Sequence, residues 1–139
     1  MPMGVGDKSN YRRVLWTETI SVFHRTPSDG ASGKTETRWE RFVVPRCFFG
    51  WKQRQRTDAT AVIPADVHIV RIPAENVPYG FAIGTGDVVV RGDVDDVLAV
   101  NDSPGVLTRK YGDEAFIADR VTDNTKFERT AHYYVSEGV

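Results

Sequence analysis

Strand signals, several of them alternating with period two, return about every 10 to 20 residues along this chain, each closed off by Gly, Pro, Asp or Asn. Successive side chains of a strand point to opposite faces, whereas a helix needs apolar residues three and four apart, so the pattern directs the chain into sheet. Trp16 to Arg25 opens the series. Ile20 and Val22 share a face with Trp16, while Thr17, Thr19 and Ser21 take the other and Phe23 breaks the alternation. In Lys34 to Val44 the same reading gives a solvent-washed first half and a buried end. Pro45 then interrupts the ladder. Cys47-Phe48-Phe49-Gly50-Trp51 is the densest aromatic run; its period-2 reading places Cys47, Phe49 and Trp51 on one face, in the core, and Phe48 on the other. Asp66 to Ile72, Gly86 to Gly92, Phe116 to Thr122 and Arg129 to Val135 complete the set.

Helix is confined to one or two short turns. Ala74 to Pro78 has room for one, because Pro78 disfavours helical geometry at Val77. Ser103-Pro104 supplies an N-cap and a first helical proline leading toward Tyr111. Val94 to Val100 reads either as a short helix or as an acidic loop. The expected fold is all-β, a small barrel or sandwich of about six or seven mainly antiparallel strands. Thr26, Pro27, Ser28, Asp29, Gly30, Gly33 and Lys34 bring together a φ-fixing proline, φ-positive glycines and side chains that cap the backbone, the composition of a long exposed hairpin loop. The polar stretch Gln53 to Thr60 is expected to be a second loop.

The 139 residues argue for one domain. Folding at this size buries roughly 68% of the extended chain's surface, enough for a core without disulfides or a structural metal. Met1 to Asn10 has no apolar h-region and is expected to be a flexible terminus ahead of a domain spanning 11–139. No apolar run approaches the roughly 18 residues that cross a bilayer, so no membrane partner is expected. A lone Cys47 forms no internal bridge, which suits a reducing cytoplasm.

Reactive chemistry finds little footing. Gly30 to Thr35 resembles a phosphate loop, but Ser28 stands where the first glycine belongs and strand follows where a helix is needed. Gly80, Gly84 and Gly86 precede a strand, so the dinucleotide fingerprint is absent. His24, His68 and His132 lack metal-ligand spacing. Cys47 lies in an apolar run where burial makes a thiol inert. Asp93, Asp95 and Asp96 lack the order and the closing glutamate of a calcium loop. The sequence is read as a non-enzyme with no cofactor, no metal and no catalytic residue.

Charge is balanced overall, 18 basic against 19 acidic residues, but not locally. Arg41, Arg46, Lys52, Arg54 and Arg56 form a stretch without a carboxylate, whereas Asp87, Asp93, Asp95, Asp96 and Asp102 surround Arg91 alone. With Trp39, Phe48, Phe49 and Trp51 among them, the cations have the composition of a stacking platform for single-stranded nucleic acid on an OB-like barrel. Equally, a ring of identical subunits needs two different, mutually complementary surfaces on each copy. Arg46, Lys52, Arg54 and Arg56 on one flank and Asp93, Asp95 and Asp96 on another meet that requirement.

The layout of several segments adds a family likeness: Ile20-Ser-Val-Phe-His-Arg25, a Gly/Asp loop, a strand centred on Trp39, Val43-Val-Pro-Arg-Cys47, Ala65 to Pro73, Gly86 to Val94, Val121-Thr-Asp-Asn124 and Ala131-His-Tyr-Tyr-Val135. Over about residues 14–138 it resembles the head–tail connector, or stopper, proteins of tailed bacteriophages and prophages, including a related uncharacterised prophage family. The resemblance implies a β-barrel in a ring of roughly six or twelve copies, located at the virion neck after assembly in the host cytoplasm. It implies a portal or adaptor ring on one side, a tail-terminator or tail-tube protein on the other and packaged DNA in the channel. By the same resemblance the Thr26–Gly33 loop would project toward a neighbouring ring or that channel. A minor tail or tail-terminator protein is the alternative within the particle.

Overall fold

A single long strand organises the molecule. In the computed structural model, which describes residues 15–30, 33–57, 59–126 and 131–138, β1 (Glu18–Asp29) turns into β2 (Thr35–Thr57), and β2 turns into β3 (Val62–Pro73). β2 is long enough to serve two partners: Thr35 to Cys47 pairs with β1, and Phe48 to Thr57 pairs with β3. A 310 turn at Ala74–Asn76 and a loop lead to β4 (Val88–Arg91). Helix α1 (Gly105–Tyr111), a 310 turn at Gly112–Glu114, β5 (Ala115–Asp123) and β6 (His132–Glu137) complete the chain. The six strands close in the order β1-β2-β3-β6-β5-β4, every pair antiparallel. The fold is all-β, as the alternation requires. The expected flexible segment 1–10, and the start of the last expected strand at Arg129, lie outside the described residues.

Pro73 closes β3, but Pro45 and Pro27 do not end their strands, for reasons that lie in the ladder. Pro45 and Arg46 together face Thr19, between the pairs Ile20–Val44 and Glu18–Cys47, so they form a β-bulge that absorbs the proline. Arg46 has a left-handed φ of 59° there. Pro27 sits opposite Thr37 inside the β1–β2 pairing. Thr37 donates its N–H to Asn101 Oδ1 at 2.9 Å, and its carbonyl accepts from the Asn101 N–H at 2.9 Å. Both Thr37 backbone groups therefore face away from β1, the Pro27–Thr37 pair exchanges no ladder bond, and a missing N–H does no harm there.

The expected loops shrink accordingly. Thr26, Pro27, Ser28 and Asp29 belong to β1, and beyond them Gly30 N–H donates to the Lys34 carbonyl and Gly33 N–H to the Gly30 carbonyl. Gln53 to Thr57, expected as loop, continues β2, and β3 begins at Val62 rather than Asp66. What composition presented as two loops is two β-ribbons, because strand preference depends on the partner opposite, and each segment finds one here.

The barrel interior holds Ile20, Val22, Phe42, Val44, Cys47, Phe49, Val70, Ile72, Val89, Phe116, Ala118 and Val135. A second cluster lies outside it, where Phe23, Val88 and Val90 are covered by Leu98 of the acidic segment and Leu107 of α1. Thus Val88-Val89-Val90 is buried on both faces, and Phe23 breaks the alternation because it supports this outer layer. Ser21 fastens the covering segment: its hydroxyl donates to the Gly92 carbonyl at 2.8 Å and accepts from Val94 N–H at 3.0 Å. Val94 to Val100 is neither helix nor strand. Cys47 and Phe49 are buried as expected, but Trp51, two residues on, is 49% exposed. β2 has by then run past the end of the barrel, so the shared face no longer has an interior to point into.

Candidate interaction surfaces

Two ribbons leave the barrel from opposite ends of β2. The first pairs His24–Asp29 with Thr35–Glu40, beyond the point at which β4 leaves β1 at Phe23. It is buttressed from the side: Asn101 bonds Thr37, and the Trp39 indole N–H donates to the Asp102 carbonyl at 3.0 Å. At its root lies Asp87, 1% exposed, whose carboxylate accepts from His24 Nδ1 (2.8 Å), Arg25 N–H (3.0 Å) and Gly84 N–H (2.8 Å). Bonded by three donors of its own chain, the Asp87 carboxylate works as a staple between β1 and the turn before β4.

The second ribbon pairs Lys52–Thr57 with Val62–Val67. β6 joins β3 only from Ile69 onward and β1 leaves β2 at Cys47, so no third strand accompanies it. Lys52 and Arg54 lie along one side of β2, opposite Val67 and Ala65, and Arg56 pairs with Ile63 in the register. Val62, Ile63 and Pro64 are exposed on the returning strand. Arg46, by contrast, stands on the bulge beside Trp16, Pro73 and Asn76, away from this ribbon's tip.

The acidic flank is largely engaged within the chain. Asp96 accepts from Lys110 Nζ at 2.6 Å and from the Tyr111 hydroxyl, and the ammonium, then the phenol, holds its carboxyl below the ordinary range. Asp93 lies 3.6 Å from Arg41, which also donates to the Val94 carbonyl at 2.7 Å. Asp102 accepts from Ala99 N–H at 2.8 Å. Asp95 is exposed. The two opposed stretches of the sequence thus meet partly inside one molecule, through Arg41 and Asp93.

A groove of about 590 Å³ at the root of the second ribbon is a feature the sequence did not disclose. His68 forms part of its wall, with Nδ1 2.9 Å from Glu137 Oε1 and Nε2 2.7 Å from the Asp113 carbonyl oxygen, and its ring stacks on Phe116 at 5.3 Å. Asp113, Asp119 and Glu137 also line it, together with Ile117, which is 37% exposed. Asp119 is the extra residue of a second bulge, between the pairs Ala118–Glu137 and Arg120–Ser136, which re-aims its side chain. Its only sequence signal is an Asp in an otherwise ordinary strand.

The aromatic platform does not assemble. Phe49 is in the core and Trp39 packs against the outer cluster, leaving Trp51 as the exposed ring of that group. The histidines stay apart: His24 meets Asp87, His68 meets Glu137, and His132 Nε2 accepts from Arg71 at 3.2 Å. No cluster of three metal-ligating side chains occurs among the described residues. Burial pushes the Cys47 thiol up to about 12. Among the described residues no helix is long and apolar enough to cross a membrane.

A family of unknown function (DUF6751) matches the chain over residues 15–137. No curated protein and no solved structure matches it.

Proposed function

The chain belongs to this family, DUF6751, and from that premise we propose that it is a structural protein of a tailed-phage virion: a head–tail connector that closes the DNA-filled head and offers the tail a docking surface. The observation that carries the reading is the pair of ribbons built on one strand. A protein seated between two assemblies must present surfaces in two directions from a rigid body. β2 supplies both, one at each of its ends, with the closed barrel between them. The resemblance to stopper proteins supports the same role and adds the neighbours, a portal or adaptor ring and a tail-terminator or tail-tube protein. The work is mechanical, done by fitting surfaces in a ring of identical copies rather than by turning over a substrate. The first ribbon, with Lys34 at its exposed tip, is the element that reaches the adjoining ring or the DNA channel.

Deleting the gene from its phage or prophage genome and imaging the lysate tests this. The expected result is DNA-filled heads that leak and separate, unattached tails, with infectivity recovered when purified protein is added to the two fractions. Complete virions from the deletion would refute it.

A further inference from the structure

The second ribbon is unfinished as a piece of structure. Two paired strands without a third strand or a packed face are at best marginally stable in water, and open edges invite pairing. Here Ile63 is exposed on the same face of the ribbon as Lys52 and half-buried Arg54, and Val62 and Pro64 are exposed on the other face. The groove at its root has the converse make-up: Ile117 is apolar, Asp113, Asp119 and Glu137 are acidic, and no Lys or Arg lines it among the described residues. Trp51 stands over the same region, its ring 5.2 Å from that of His68.

We propose that the β2–β3 ribbon of one copy docks into the His68–Asp113–Asp119–Glu137 groove of a second copy of this chain, with Arg54 meeting Asp119 and Ile63 covering Ile117. Tip and root are different surfaces of one molecule, so the contact is head-to-tail, the geometry that closes rings. The five strand residues from Gln53 to Thr57 give the tip a reach of about 17 Å beyond the root. This rests on the ring-forming reading above and changes its acidic partner: Asp96 already holds Lys110 and Tyr111, and Asp93 already faces Arg41. Net charge near −1 disfavours the competing use of the ribbon, clamping a nucleic-acid backbone.

Sedimentation velocity of the full chain over a concentration series, at low and high salt, provides the test. Wild type is expected to self-associate, less so as salt rises. Arg54→Glu and Asp119→Arg should each weaken association about tenfold, and the double variant should recover most of it. Ile63→Asp is a second, charge-independent variant with the same expected loss, and circular dichroism confirms that each variant is folded. A double variant no better than the singles, or singles equal to wild type, overturns the docking map while leaving the connector reading in place. A wild type that stays monomeric, or one whose ribbon instead binds a labelled DNA duplex in an Arg54-dependent way, overturns it as well. Normal virions from the gene deletion are the separate result that removes the connector reading.

Discussion

Asp87→Ala would remove the buried carboxylate that ties the root of the first ribbon to the turn before β4. The carboxylate receives three donors, from His24, Arg25 and Gly84, at 2.8 to 3.0 Å, and is 1% exposed. Alanine leaves the two backbone N–H groups without an acceptor in a site water barely reaches. Each such orphan costs about 1–3 kcal/mol, so with the lost imidazole bond the expected destabilisation is about 3–5 kcal/mol. Asp87→Asn keeps the shape but turns a donor toward the Gly84 or Arg25 N–H, and should cost roughly half as much. Urea unfolding reads the change as a shift in midpoint at constant slope. A cycle with His24→Ala should return a coupling of about 0.5–3 kcal/mol, since the two residues touch. Because the Asp87 carboxylate holds His24 and Arg25 at the root of the ribbon, amide exchange from His24 to Asp29 should accelerate in Asp87→Ala more than exchange in Val70 or Val135. A loss below about 1 kcal/mol, or unchanged exchange in the ribbon, would refute the staple.

Two further outcomes follow from groups that titrate. Glu18, through its bond from Arg91, and Asp96, through its bonds from Lys110 and then Tyr111, are both held below the ordinary carboxylate range. Their stabilisation is complete above the unfolded-chain values of about 4 and is lost as pH falls through the lower folded values, so the urea midpoint should drop on acidification and Asp96→Asn should flatten that drop. Cys47, raised to about 12 by burial, should ignore a thiol-specific reagent in the native protein at about pH 8 and react fully in urea; native labelling would contradict its place in the barrel interior.

The fold was legible where burial is one-sided. Ile20 and Val22, and Phe42 and Val44, recur with period two and line the interior as alternation requires. It was harder to read where a second layer intrudes. Phe23 and the run Val88 to Val90 spoil the period because Leu98 and Leu107 cover them from outside, a contact made across the chain. Proline misled for a related reason. Its cost depends on whether its nitrogen faces a partner strand, and only the register shows that Pro27 lies in a pair without ladder bonds. The candidate surfaces were half visible. Lys52, Arg54 and Arg56 follow from their spacing, but the groove draws on Asp113, Asp119 and Glu137 from three separate segments, and Asp119 faces it because of a bulge.

The bulge at Pro45 and Arg46 gives β2 one bend between two straight arms, and both arms are lashed to neighbours along most of their length. A load applied to the tip near Lys34 is therefore handed along an unbroken main chain to the tip near Thr57, with the bend as fulcrum. In the proposed connector, the arrival of one neighbour would thereby reach the other through leverage along β2.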